Sequence, residues 1–372
     1  MRIAVNCRSF LKWQYTGIGR YAYHLVKSLS VIDQKNEYHL YARKGFFSFN
    51  KKLPDFHTKN FIPHIDRFNR GPAQTLKNID VYHIPSPGPL EAPGHAKIVM
   101  TVHDLIFKAY PAGHTQQTIK AGQIQFENIA QKVSKVICCS QSTRNDLQKY
   151  FQIPPEKVTL IYQGVDKSIF YRISKEEELL ADKILKKKGV ELPFIFSVGT
   201  IEPRKNLKNL IHAVHYLKSK GKFSGKLVIA GMKGWINEDM GALAHSLELT
   251  KDIVWLGYIT DFELCCLYNK AEVFVFPSFY EGFGFPIVEA FCCQVPVVTS
   301  NISSCPEIAG NAALTVDPNS SEGIASAIER ILSDPELKRD LIQRGIKRAG
   351  DFDFDKTARE TLSVYKEVCG IG

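Results

Sequence analysis

Short apolar runs alternate with amphipathic segments along this chain, and they do so in two consecutive series. The first series has runs at 3–7, 38–42, 81–84, 98–102, 136–139 and 158–162, with amphipathic stretches such as 19–29 and 118–132 between them. The second has runs at 194–198, 227–230, 253–256, 273–276, 295–299 and 313–316. This is the α/β pattern of parallel sheets wrapped by helices. Residues 174–189 are rich in Lys and Glu and carry no strand signal, so they read as a helix in a linker region, with the domain boundary near 166–192. The expected organisation is a first α/β domain over 1–170, a linker and second α/β domain over 171–350, and a C-terminal helix over 351–372. At 372 residues the chain also exceeds what one ordinary core fills. No short-period repeat is present, which excludes a solenoid. Two similar α/β halves make a cleft between them the default place for a ligand.

Composition narrows the class. Hydrophobic residues at 44% and charged residues at 23% are those of a soluble globular protein. No stretch approaches about 18 uncharged apolar residues, so a membrane-spanning helix is not expected. The N-terminal apolar run is too short for a secretory segment and reads as a strand. Six of the nine cysteines form vicinal pairs, Cys138-Cys139, Cys265-Cys266 and Cys292-Cys293, inside or beside apolar segments. No C-x-x-C occurs. Reduced cysteines acting as small hydrophobes, and hence a cytoplasmic location, are the expectation. The net charge of +10 is uneven: residues 1–170 hold 23 Lys and Arg against 11 Asp and Glu, and the remainder hold 25 against 27. A basic first half fits an anionic partner (nucleic acid, an anionic lipid surface or a phosphorylated substrate) and equally a surface charged for solubility.

Four segments carry the candidate chemistry. Pro277-Ser278-Phe279-Tyr280-Glu281-Gly282-Phe283-Gly284-Phe285-Pro286-Ile287-Val288-Glu289 follows an apolar strand and opens a helix. Gly282 and Gly284 let the backbone approach a ligand, and the helix start offers N–H groups to an anion. Glu289 is expected in the first helical turn, within reach of ribose hydroxyls, and Glu281 on the loop. The plain alternative is a glycine turn with Glu289 favouring the helix dipole. In Ser197-Val198-Gly199-Thr200-Ile201-Glu202-Pro203-Arg204-Lys205-Asn206-Leu207, Arg204 and Lys205 stand just before a helix, where they would hold a diphosphate or simply be solvated. Thr16-Gly17-Ile18-Gly19-Arg20-Tyr21 reads as the turn after the first strand, with Gly17 and Gly19 lending it a tight bend. His103, in Thr101-Val102-His103-Asp104-Leu105, falls at the carboxyl end of a strand, where ligands of parallel sheets gather. A lone histidine there is as readily structural.

Asp351-Phe352-Asp353-Phe354-Asp355 contains the D-x-D of metal-dependent sugar transferases. Here it precedes an amphipathic helix at 356–368, so Asp353 or Asp355 reads as a cap or first-turn carboxylate, with Phe352 and Phe354 packing. No metal site is expected, since no histidine or cysteine cluster has ligand spacing.

Together these residues resemble the retaining glycosyltransferases of family 4, whose fold is GT-B, two Rossmann-like domains facing each other across a deep cleft. Glu281 and Glu289 are similar to that family's E-x7-E pair, and residues 197–207 to its diphosphate loop. Lys157-Val158-Thr159-Leu160-Ile161-Tyr162-Gln163-Gly164-Val165-Asp166 resembles the N-G-V-D stretch, with Gln163 where Asn is usual. Residues 352–365 look like the terminal helix that crosses back to the first domain. The matches run through nearly the whole chain in order, and the segments at 16–21 and 202–206 are most similar to bacterial mannosyltransferases of O-antigen and exopolysaccharide synthesis.

The resemblance implies roles. Arg204 and Lys205 would clamp the donor diphosphate and Glu289 would bind ribose. Glu281, with backbone N–H groups of Gly282, Phe283, Gly284 and Phe285, would hold hydroxyls of the transferred sugar, and the neighbouring Ile287 would also belong to the donor site. His103 would contact the transferred sugar from the opposite domain, and Gly17, Gly19 and Gly199 would line the phosphate region. It implies no cofactor and no metal, a nucleotide-sugar donor (GDP-mannose), a growing and lipid-linked glycan acceptor, and no nucleic acid. Catalysis would rest on positioning and on stabilising the departing phosphate. A UDP-sugar transferase of glucose or N-acetylglucosamine is the rival within the fold. A nucleic-acid-binding protein is the rival from charge, against which no interleaved aromatic–basic motif is found. A nicotinamide dehydrogenase lacks its complete G-x-G-x-x-G. Peripheral contact with an anionic membrane is a further expectation, through Lys44, Lys51, Lys52, Lys59, Arg67 and Arg70 with Phe46, Phe47 and Phe49.

Overall fold

A computed structural model describes residues 1–11, 17–44, 53–86, 88, 90–113, 115–234 and 239–371. The chain divides into two compact units: 1–108 with 117–164 and 352–372, and 109–116 with 165–351. Among the described residues the first holds seven strands: β1 (Arg2–Asn6), β2 (Glu37–Arg43), β3 (Phe61–Asp66), β4 (Val81–Ile84), β5 (Lys97–Val102), β6 (Lys135–Cys138) and β7 (Val158–Leu160). The described residues of the second hold six: β8 (Phe194–Val198), β9 (Lys226–Ala230), β10 (Ile253–Gly257), β11 (Val273–Phe276), β12 (Val297–Ser300) and β13 (Ala313–Val316). Every strand pair is parallel. The first sheet runs β3-β2-β1-β4-β5-β6-β7 and the second β10-β9-β8-β11-β12-β13, so each reverses direction once, between its first and fourth strands. That reversal opens a crevice beyond the strand ends in a doubly wound sheet.

Central strands such as β4 and β11 are buried along their whole length, because helices cover both faces. The edge strand β3 departs from this pattern. It carries Pro63, exposed in mid-strand, which an edge tolerates, and its sequence gives no strand signal. The 118–132 stretch is not one helix: Gln116–Phe126 ends, Asn128 turns left-handed (φ 62°), and Ile129–Lys132 adds a single turn. The Lys- and Glu-rich segment forms the helix Lys175–Lys187, started by a reciprocal Ser174–Glu177 capping box. The helix Gly17–Ile32 already includes Gly17 and Gly19, so these glycines open a helix rather than form a turn; Thr16 lies outside the described residues.

The C-terminal helix Phe354–Val368 belongs to the first unit. Asp353 caps it, accepting from the Asp355 and Lys356 N–H groups at 2.9 and 3.1 Å, and Asp355 sits in its first turn. Phe352 and Phe354 are buried. A Cβ at Gly164 would lie 2.3 Å from the Phe354 nitrogen, so that crossing of chain and helix start requires glycine. All nine cysteines are thiols.

Candidate active site

In the second unit the site grows from the two strands that flank the switch point. Gly199 (φ 148°) follows β8, and a Cβ there would press to 3.1 Å on Lys205 Cε. The glycine therefore leaves room for a lysine stem as well as for the turn. Pro203–Lys205 makes one 3-10 turn, and Asn206 takes the left-handed conformation (φ 57°) before the helix Leu207–Ser219. Asn206 Nδ2 donates to the carbonyls of Pro277 (3.0 Å) and Pro318 (2.6 Å), and the Phe279 N–H donates to Arg204 O at 2.8 Å. These bonds fasten the loop after β8 to the loops after β11 and β13. Loops fixed this way hold their charges in place.

The charges meet there. Glu281 Oε1 accepts from Lys205 Nζ at 2.6 Å and pairs with Arg204 Nη1 at 2.8 Å. Arg204 Nε lies 2.5 Å from Glu202, and Nη1 also donates to Tyr280 O at 3.1 Å. Lys205 Nζ sits 4.6 Å from the centroid of the Phe276 ring, over its face. Glu281 is itself held by its backbone: its N–H donates to Ser303 Oγ, and its carbonyl accepts from Ser303 Oγ (2.6 Å) and Ser304 Oγ (3.0 Å). Glu202 and Glu281 are buried, at 6% and 8% exposure. Burial alone would raise the Glu281 carboxyl, but Arg204 and Lys205 overcome it and hold it down to about 2. Burial and the Arg204 charge lower Lys205, against the pull of Glu281. Two carboxylates and two cations form a neutral, desolvated quartet that a diphosphate would have to break into.

Glu289 stands apart from the quartet. The helix Phe285–Cys292 starts after left-handed Gly284 (φ 103°), which makes Glu289 its fifth residue, in the second turn rather than the first, and puts Pro286 at the second position. Glu289 is buried and accepts from Tyr268 Oη at 2.9 Å. Gly282, Phe283, Phe285 and Ile287 lie on the loop and first turn between the two glutamates, and the Phe283 carbonyl is bonded by Ser304 Oγ at 2.8 Å. Sequence reading gave no part to Glu202, Tyr268, Ser303 or Ser304; the last three reach their partners only through the fold.

In the first unit His103 follows β5, buried. Its Nε2 lies 2.8 Å from Pro85 O, and its Nδ1 2.7 Å from Gln163 Nε2. Its ring meets Tyr21 edge-on at 4.9 Å. Burial lowers its pKa, against the Pro85 carbonyl and Asp104. A cavity of about 250 Å3, lined by Ile18, Thr101, His103, Asp104, Thr118 and Gln125 among others, lies beside it. Gly19 is buried in the helix start and Gly17 is exposed. Among the described residues no group of three or more His, Cys, Asp or Glu could hold a metal ion. Asp351 pairs with Arg348 at 2.8 Å.

Comparison with known proteins matches this arrangement from both ends. Residues 15–168 match the sequence model described as Glycosyltransferase Family 4, and residues 181–348 that described as Glycosyl transferases group 1. The chain is 28% identical to the O-antigen chain mannosyltransferase B of Escherichia coli, across 96% of this chain and 97% of that one. It is 30% identical to the Escherichia coli serotype-specific mannosyltransferase WbdA over 63% of this chain, which spans 29% of that longer protein. Among solved structures, the sucrose-phosphate synthase of Thermosynechococcus elongatus superposes with a TM-score of 0.76 over all of both chains at 18% identity. Anabaena HepE, in complex with UDP and glucose, superposes at 0.73 over 99% of this chain and 100% of that one, at 17% identity. These likenesses fix the fold as GT-B. With a glycosyltransferase model on each unit and a mannosyltransferase matched end to end, the chain belongs to the family 4 glycosyltransferases and is a sugar-transferring enzyme.

Proposed function

We propose that the protein transfers mannose from GDP-mannose, with retention of anomeric configuration, onto a growing, lipid-linked glycan. The observation that carries the reading is the end-to-end match to the O-antigen chain mannosyltransferase B. Arg204 and Lys205 take the donor diphosphate, exchanging Glu281 for phosphate oxygens, and they stabilise the negative charge as the diphosphate departs. Glu281, released from that pairing, turns its carboxylate to hydroxyls of the mannose. The backbone N–H groups around Gly282, Phe283, Gly284, Phe285 and Ile287 add donors, Glu289 binds ribose, and His103 contacts the mannose. Gly17, Gly19 and Gly199 leave backbone room near the phosphates. The bond from the anomeric carbon to the diphosphate breaks, and the acceptor oxygen bonds that carbon on the same face. The acceptor's proton passes to the departing phosphate oxygen, so no enzymic nucleophile and no metal are required.

We place the work in the cytoplasm, at the inner face of the membrane. Thiol cysteines and the basic first half fit that setting. No helix of the described residues is long and apolar enough to cross a membrane. The test is product analysis after purified protein is offered GDP-mannose, UDP-glucose and UDP-N-acetylglucosamine with a lipid-diphosphate-linked glycan. An α-mannosylated product from GDP-mannose alone is expected. Transfer only from a UDP-sugar would replace the donor assignment.

A further inference from the structure

We infer that Gln163 is a positioning residue for the transfer, locking His103 as the neutral imidazole that carries its proton on Nε2. The inference rests on the role proposed above for His103, and it concerns a residue to which nothing so far gives a part. Pro85 O, 2.8 Å from His103 Nε2, can only accept, so Nε2 bears the hydrogen. Nδ1 is then a bare lone pair, and Gln163 Nε2 donates to it at 2.7 Å. A histidine held from both sides in this way has one tautomer and one ring plane.

Gln163 gives up something for this contact. It is 1% exposed, and its Oε1 has no hydrogen-bond partner among the described residues. An unpaired buried carbonyl is costly, and a leucine of similar volume would avoid that cost. The amide nitrogen is spent on His103. The Gln163 backbone is also held firmly: the Tyr162 carbonyl accepts from Thr357 Oγ1 at 2.8 Å, and Gly164 packs against the start of the C-terminal helix. The same helix reaches the His103 strand by a second route. Tyr365 Oη lies 2.6 Å from His83 Nδ1, His83 Nε2 lies 2.8 Å from Thr101 Oγ1, and Thr101 Oγ1 lies 3.3 Å from Tyr21 Oη, whose ring meets His103.

The other groups facing His103 are Tyr21, His83, Cys139 and Asp104; Cys139 Sγ and Thr143 Oγ1 donate to its carbonyl at 2.9 and 3.3 Å. Of these Asp104 alone favours an imidazolium, and burial opposes it. An amide N–H aimed at the lone pair opposes it further, since protonation of Nδ1 would leave two hydrogens facing each other. Neutrality suits the chemistry. The departing diphosphate leaves positive charge on the sugar, and an imidazolium beside it would raise the barrier.

The experiment combines nitrogen NMR of histidine-labelled protein with pH–rate profiles for wild type, Gln163→Glu, Gln163→Leu and Gln163→Asn. In wild type at neutral pH, His103 is expected to show a protonated Nε2 and a bare Nδ1. Gln163→Glu, which is nearly isosteric, should protonate both nitrogens, move the acidic limb of kcat upward by about one pH unit or more, and lower kcat about tenfold or more at neutral pH. Gln163→Leu should lower kcat with little change in KM for the donor, and Gln163→Asn, which keeps an amide, should recover part of it. An unchanged His103 spectrum and acidic limb in Gln163→Glu would overturn the lock. A changed spectrum with unaltered kcat in every variant would overturn the positioning role and the part given to His103. Wild type inactive on every nucleotide sugar would overturn the transferase reading instead, and the spectra would still decide the lock.

Discussion

Around the carboxyl ends of β4 and β5 in the first sheet, the linked buried polar groups are neutral: His83, Thr101, Tyr21 and Tyr365 are hydrogen-bonded in series, and an edge-on contact of Tyr21 with His103 adds the His103–Gln163 pair. Beyond the ends of the second, which has the same strand order over its six strands, they are charged: Glu202, Arg204, Lys205 and Glu281. The difference lies in what each arrangement can exchange. A neutral series binds no ion and changes little with pH; burial pulls His83 down to about 3, so it stays uncharged. A buried ion quartet is stable only while every charge has a partner, and an incoming dianion can substitute for one member. The first unit therefore suits fixed orientation, and the second suits capture and release of a diphosphate.

The strongest test of that contrast is to break the quartet. Lys205→Ala leaves Glu281 buried with one cation fewer, which should cost about 3–5 kcal/mol of stability by denaturant titration. It should also lower kcat by about 10²–10³. Thr101→Val in the neutral series should cost only about 1 kcal/mol. Equal losses from the two would erase the distinction. With the two cations supplying the charge stabilisation as proposed, EDTA should leave turnover unchanged. Loss in EDTA with rescue by manganese would overturn the metal-free mechanism.

Acid sharpens the same comparison. Glu281 titrates near 2 when folded against the ordinary 4.5, so the folded protein binds its proton less readily. Its contribution is complete above about pH 4.5 and is lost as pH falls through the folded value. The shift corresponds to about 3 kcal/mol at most, and the lowered Lys205 offsets part of it. Stability curves of wild type should thus fall more steeply between pH 4.5 and 2 than those of Glu281→Gln. Parallel curves would mean that the carboxylate is solvated.

A smaller effect separates the two glutamates. Glu281→Ala should act mainly on kcat and Glu289→Ala mainly on KM for the donor, each by about 1.5–3 kcal/mol, a ten- to hundredfold change. Tyr268→Phe, which removes the hydroxyl bonded to Glu289, should shift KM in the same direction by less. Glu289→Ala with full donor affinity would remove its ribose role.

These tests concern residues that differ in how openly the sequence displays them. The strands were legible because a parallel sheet buries whole runs: β4, β8, β11 and β13 coincide with their apolar runs to the residue. β3 was not, because Pro63 and a partly exposed middle break the apolar run, as an edge allows. Glu281, Arg204 and Lys205 stood out by neighbouring glycines and the strand–loop–helix order. Their pairing with one another spans 76 residues of sequence, and no local pattern encodes it. Tyr268 and Gln163 were hidden for the same reason, at separations of 21 and 60 residues. Glu289 was found but misplaced by a turn, since left-handed Gly284 decides where the helix begins. Asp353 was readable as a cap because capping is local.

The last prediction leaves turnover untouched and concerns the basic charge of the first half. Of the residues expected at a membrane, Phe46, Phe47, Phe49, Lys51 and Lys52 lie outside the described residues, and Lys44 is half-buried. Lys59, Arg67 and Arg70 are exposed. The loop after β3 is fixed, since Asp66 accepts from the N–H groups of Phe68, Arg70 and Gly71 and from Tyr41 Oη. On that rigid turn Phe68 is 64% exposed, with the Arg70 guanidinium 5.1 Å from its ring centroid. An aromatic ring beside two arginines suits the boundary between headgroups and acyl chains. Each cation near an anionic leaflet contributes about 1 kcal/mol, and salt screens it. Arg67→Glu with Arg70→Glu should therefore weaken co-sedimentation with anionic liposomes at low salt by about thirtyfold or more, leave turnover on a soluble acceptor unchanged, and have no effect at high salt. Equal, negligible binding of wild type to neutral and anionic vesicles at low salt would mean that the excess positive charge serves solubility alone.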